Sequence, residues 1–114
     1  MFFRFIQWFK DWKRGTLFGA ARSSKWSSIR KDFLILHNKC DLCGKEKSLE
    51  VHHIKPFHSN PEFELNPQNL ITLCESKKYG VNCHLFCGHL GNYKRINPLV
   101  VEDCKIWNYK LKTI

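Results

Sequence analysis

Six cysteines and six histidines stand in a chain of 114 residues, and their spacing more than their number suggests chemistry. Cys40-Asp41-Leu42-Cys43-Gly44 is a C-x2-C knuckle. Two thiolates two residues apart on a tight turn can reach one tetrahedral ion, and Gly44 permits the sharp backbone. The second half of such a site must come from Cys74, Cys83 and Cys87, because Cys104 falls in a C-terminal helical pattern. Cys74 ends an expected strand and Cys83 begins an expected helix, so the eight residues between them can loop the two together. Cys40, Cys43, Cys74 and Cys83 are therefore the expected four-thiolate structural zinc site. Cys87 and Cys104 are expected as small buried residues of the core. A redox role for the knuckle is not expected, since no βαβ pattern surrounds it.

The second constellation is histidine. Val51-His52-His53-Ile54-Lys55-Pro56 puts two adjacent imidazoles on a short strand. Neighbouring strand side chains point to opposite faces, so His52 and His53 should divide two roles, one ligating a metal and the other facing a substrate. Asn69 opens the next expected strand, and His84 directly follows Cys83. Neutral imidazole together with phosphate or carboxylate oxygen suits a hydrolytic divalent ion.

These residues must be positioned by a small set of elements. A helix is expected from about Ser27 to His37, with Ile29, Phe33, Leu34 and Leu36 apolar and Ser27 or Ser28 as N-cap. Residues 48–54 alternate as a strand, residues 56–68 form a loop punctuated by Pro56, Pro61 and Pro67, and residues 69–73 form a second strand. A helix is expected from about Cys83 to Tyr93, weakened by Gly88 and Gly91. Pro98 then opens a last amphipathic helix with Val100, Val101, Cys104, Trp107 and Leu111 on one face. Ahead of all this, Phe2, Phe5, Ile6, Phe9 and Trp12 recur at helical spacing beside Lys10, Lys13 and Arg14. That stripe fits a helix packed on the domain or a partner better than one lying on a membrane. The expected division is residues 1–22, a basic aromatic helix and linker, and residues 23–114, the domain that carries the Cys and His motifs.

Charge narrows the partner. The formal net charge is +9, and residues 1–40 hold nine basic residues against two acidic ones. Such a balance favours a polyanion. No apolar run is long enough to span a membrane, and Arg4, Gln7 and Lys10 interrupt the stretch a secretory signal would need. The cysteines are accordingly read as thiols or metal ligands of a cytoplasmic protein. Lys45, Lys47, Lys55, Lys77, Lys78, Lys94 and Arg95 are candidates for phosphate contacts.

Taken in order, CDLCG, VHHIKP, NLITLC and CH resemble the motifs of an HNH endonuclease of the ββα-metal type, over Trp26 to Asn97. The segment CHLFCGHLGNYKRINP resembles a branch of small phage-encoded HNH proteins. One departure is visible: the usual final C-x2-C-H stands here as Cys74-x8-Cys83-His84. The resemblance implies an α+β fold, a small ββα-metal core with a zinc knuckle flanked by N- and C-terminal helices. It implies a metal-dependent DNA endonuclease, with His53 as general base, His52 and His84 as ligands of the catalytic ion and Asn69 holding the loop that orients His53. His89, five residues after His84, is the candidate third ligand, while His58 is read as surface. Magnesium or manganese is the expected catalytic ion, with zinc or nickel tolerated by imidazole, beside one structural zinc. DNA is the expected partner, within a larger phage-type DNA-processing complex and a host cytoplasm if the chain is phage-encoded. The competing reading is a non-catalytic zinc-ribbon module that only holds nucleic acid.

Overall fold

The structure, a computed structural model, describes residues 22–76 and 82–113. The expected aromatic helix of residues 1–22 thus falls almost entirely outside the described residues, as do Lys77 and Lys78. Two helices flank a two-stranded sheet: α1 spans Trp26–Leu36, β1 Leu49–His53, β2 Leu70–Cys74 and α2 Val100–Lys112. A single π-helical turn, His84–Gly88, stands between β2 and α2. This small mixed α+β architecture is consistent with the ββα-metal arrangement. Among the described residues, no helix is long and apolar enough to cross a membrane.

β1 and β2 pair antiparallel with Leu49 opposite Cys74 and His53 opposite Leu70. Strand alternation then sorts the side chains. Val51 and Leu70 join Phe33 of α1 in one apolar cluster, with Trp26, Ile29 and Leu34 packed around it. Ile71 and Leu73 face the other way, into a second cluster with Leu42, Val100 and five of the six cysteines. The sheet is thus a thin partition, with α1 on one face and the π-turn and α2 on the other.

Three expectations change in detail. α1 begins at Trp26, and its N-cap is Lys25 rather than Ser27 or Ser28; the nearby polar contact is Ser23 Oγ accepting from the Lys25 amide at 3.1 Å. The helix expected over Cys83 to Tyr93 is cut to the π-turn. Leu90 and Gly91 adopt left-handed φ of 53° and 85°, and the Gly91 amide turns back to donate to the Leu85 carbonyl at 2.8 Å. On α2 only Val100 and Cys104 of the expected apolar face are buried, whereas Trp107 and Leu111 stand exposed. The domain is too small to cover the second half of that stripe.

Candidate metal centre and adjoining cavity

The knuckle is a backbone device before it is a ligand. Gly44 takes φ of 79°, its amide donates to the Cys40 carbonyl at 2.9 Å, and the Cys40 amide donates to the Lys45 carbonyl at 2.8 Å. This wraps the chain tightly enough to aim two thiols inward. The end of β2 supplies Cys74, and the residue before the π-turn supplies Cys83. All four sulfurs lie within 4.8 Å of one another. Cys43 and Cys74 Sγ are 3.7 Å apart, against about 3.8 Å for two sulfurs on one tetrahedral zinc with bonds near 2.3 Å. Contact with the Cys83 thiol draws Cys40 down to about 4, whereas the same contact pushes Cys83 up. Sulfurs crowded in this way need a cation to let all four ionise, and the donor set fits zinc. Cys87 and Cys104 lie outside this group, buried in the same core.

The histidines form a second group. His52, His84 and His89 bring their ligating nitrogens within 4.8 Å of one another. His84 Nε2 lies 3.1 Å from His52 Nδ1 and 3.2 Å from His89 Nε2. The outward nitrogens are anchored: His84 Nδ1 donates to Glu75 Oε1 at 3.1 Å, and His89 Nδ1 donates to the Arg95 carbonyl at 2.9 Å. Those bonds assign the tautomers, since neither a carboxylate nor a carbonyl can donate. The two Nε2 atoms must then meet lone pair to lone pair. A cation between them removes the repulsion, and fixing a ligand through its other ring nitrogen is the usual support of a metal-binding imidazole. Burial, reinforced by the neighbouring imidazoles, lowers His52 to about 3, and burial also lowers His84. Both are therefore in the neutral form a metal requires.

Gly88 makes that convergence sterically feasible. A Cβ at this position would come within 3.2 Å of His84 Cδ2 and 3.3 Å of the His52 ring. A residue that looks like a defect in a helix pattern is where two ligands press on the backbone.

His53 points to the opposite face of β1. Its ring lies against Trp26 of α1, with centroids 4.5 Å apart, and its Nε2 donates to the Glu64 carbonyl at 3.0 Å. Nδ1 is left as the basic nitrogen. Burial holds His53 at about 4, with the Arg22 charge acting in the same direction. Asn69 does not open β2 but closes a 3-10 turn, Pro67–Asn69, immediately before it. Its buried amide takes the Lys55 amide on Oδ1 at 2.8 Å and donates to the carbonyls of Lys55 and Phe63 at 3.1 and 3.3 Å. The hydrogen bonds of the Asn69 side chain go to Lys55 and Phe63 and not to His53; they close the loop whose next residue, Glu64, holds the His53 ring. The Glu64 carboxylate, itself buried, accepts from the Ser23 amide at 3.1 Å and pairs with Arg22 at 3.6 Å.

Both adjacent histidines open onto one cavity of about 500 Å³, lined also by His84, His89, Arg22, His58, Tyr93, Lys94 and Arg95. The structure therefore brings His52, His84 and His89 together and sets His53 beside them. His58 is half-buried on the wall rather than simply surface. Of the candidate phosphate contacts, Lys94 and Arg95 line the cavity, while Lys55 lies over the Phe63 ring at 4.6 Å. Glu64, Glu75, Trp26 and Arg22 were not singled out from the sequence. Glu75 had one signal, its place directly after Cys74; Glu64 had none, because it acts on His53 through its backbone.

Residues 40–85 match the family model described as HNH endonuclease, about two fifths of the chain. No curated protein and no solved structure matches the chain. Residues 40–85 are thus similar to the HNH endonuclease family, a similarity that points to a nuclease-type function with nucleic acid as the substrate class.

Proposed function

We propose that this HNH domain is a metal-dependent DNA endonuclease formed by residues 23–114, with residues 1–22 adding a basic, aromatic contact surface. His52, His84 and His89 would hold one catalytic divalent ion, magnesium or manganese before zinc or nickel, and the four cysteines one structural zinc. When bound, the catalytic ion supplies positive charge to a non-bridging phosphate oxygen and to the departing oxygen. The observation that carries the reading is the His53 arrangement. A ring whose Nε2–H is committed to the Glu64 carbonyl keeps Nδ1 free at the wall of the same cavity.

His53 Nδ1 takes the proton from a water that attacks phosphorus, and the Trp26 ring limits how the imidazole can turn. Burial keeps His53 neutral at physiological pH, hence already in the base form. A phosphodiester brings negative charge to the cavity and raises the proton affinity of His53 just when it is needed. Lys94 and Arg95 at the cavity wall suit the flanking phosphates of DNA. A DNA-processing assembly of the phage type is the expected setting.

Supercoiled plasmid incubated with the full chain and Mg²⁺ or Mn²⁺ tests the reading. Wild type should nick or cut, and His53→Ala should lose roughly 10²–10⁴-fold in rate while still binding DNA. Equal cleavage by both proteins removes the assigned role of His53. No cleavage in any divalent ion, alongside salt-sensitive DNA binding, would favour a zinc-ribbon module that only binds.

A further inference from the structure

Assigning four thiols to zinc leaves two, and these two touch. Cys87 Sγ of the π-turn and Cys104 Sγ of α2 lie 3.6 Å apart. Both are almost wholly buried, at 3% and 2% exposure. Asn97 bridges the two segments independently: its Nδ2 donates to the Cys87 carbonyl at 2.8 Å and to the side chain of Asp103, the neighbour of Cys104, at 2.9 Å. Both share the apolar core cluster with Leu42, Leu73 and Val100. Here each sulfur is the other's polar neighbour, within a framework that fixes their approach.

We propose that Cys87 and Cys104 are a modification site, a dithiol that a peroxide converts to a disulfide. One sulfur attacks the peroxide O–O bond, giving a sulfenic acid and releasing water; the second thiol then attacks that sulfur and a second water departs. The two sulfurs lose two electrons in total, and the peroxide oxygens gain them. The sulfurs must close by about 1.5 Å to reach the bond length near 2.05 Å. Thiol reductants reverse the step. Cys87 sits three residues after His84 and two before His89, so the bond staples the ligand-bearing turn to α2. The inference rests on the reading that the other four thiols hold zinc, which shields them while this pair reacts.

The zinc-loaded full chain is treated with graded hydrogen peroxide and followed by native mass spectrometry. The expected product is about 2 Da lighter, retains its zinc, and reverts with a thiol reductant. Tryptic mapping should join segments 79–94 and 96–105, with fragmentation placing the link on Cys87 rather than Cys83. The oxidised protein should also melt on the order of 10 °C higher. A Cys104→Ala variant should yield no such species; if it does not fold, the wild-type map alone decides. Sulfinic acid at either residue without a link, or a first link among Cys40, Cys43, Cys74 and Cys83, overturns the proposal. Zinc content before oxidation is measured separately, so a protein that never held zinc reports against that reading rather than against the pair.

Discussion

The Nε2 atom of His53 lies 3.0 Å from the carbonyl oxygen of Glu64, eleven residues further along the chain. The loop between them carries no strand or α-helix; short turns, Asn69 and the Glu64 carboxylate's contacts with Ser23 and Arg22 hold it. The orientation of the proposed base therefore depends in part on a side chain, Asn69, whose hydrogen bonds go elsewhere.

Asn69→Ala removes three hydrogen bonds and strands the Lys55 amide in a half-buried loop. We expect a stability loss of about 2–3 kcal/mol. Cleavage should fall further than stability explains, because the Glu64 carbonyl moves with the loop. Thermal melts compared with plasmid cleavage below the melting range separate the two effects. An activity unchanged in the folded variant would remove Asn69 from the positioning of His53.

Glu75 anchors His84 and also accepts from the Tyr93 hydroxyl. Glu75→Ala should weaken divalent binding at the histidine trio by roughly 10–100-fold. Calorimetry with Mn²⁺ measures this, and zinc content should not change. Tyr93→Phe, which leaves the carboxylate in place, should have the smaller effect.

Gly88→Ala places a methyl group against His84 and His52 at 3.2–3.3 Å. The backbone or one ring must shift by a few tenths of an ångström, costing about 1–2 kcal/mol by analogy with overpacked cores. The sharper readout is metal binding at the trio, which should weaken while the sulfur site remains filled. Intact affinity would show that the rings can yield without losing their convergence.

Acid should destabilise the domain when the trio is metal-free. Burial lowers His52 to about 3 and His53 to about 4, from an ordinary value of 6.5. Between those limits the unfolded chain binds more protons than the folded one, so stability rises with pH. The contribution is complete above about pH 6.5 and is lost as pH falls through about 4 for His53 and lower for His52. Melting temperature against pH for wild type and His53→Ala, with zinc retained, isolates the His53 share as a shallower acid slope. Identical slopes would count against a buried neutral His53.

Local patterns carried the elements that the sequence made readable. Alternation over residues 48–54 and the short apolar run over residues 69–73 predict both strands within a residue, and the C-x2-C-G turn announces itself by spacing. The grouping of Cys74 and Cys83 with the knuckle also follows from their places at a strand end and a helix start. Less readable was the turn after Cys83, where helical spacing suggested about eleven residues and the backbone gives five. Leu90 took a left-handed conformation that nothing in its side chain demands, and helical geometry was what had set His89 slightly off the ligand face. The π-turn and its left-handed exit bring His89 in. Glu64 and Arg22 were illegible for a different reason: their contacts join segments far apart in sequence, through a backbone carbonyl and a buried ion pair that no periodicity encodes.

Twice, a single peptide bond separates a residue of the sulfur cluster from one of the histidine centre, Cys74 from Glu75 and Cys83 from His84. The two sites are consequently coupled in position through the backbone. The sulfur positions therefore bear directly on where His84 and the carboxylate that steadies it stand. On the proposed reading, a zinc held by the four sulfurs would also set the spacing of Glu75 and His84.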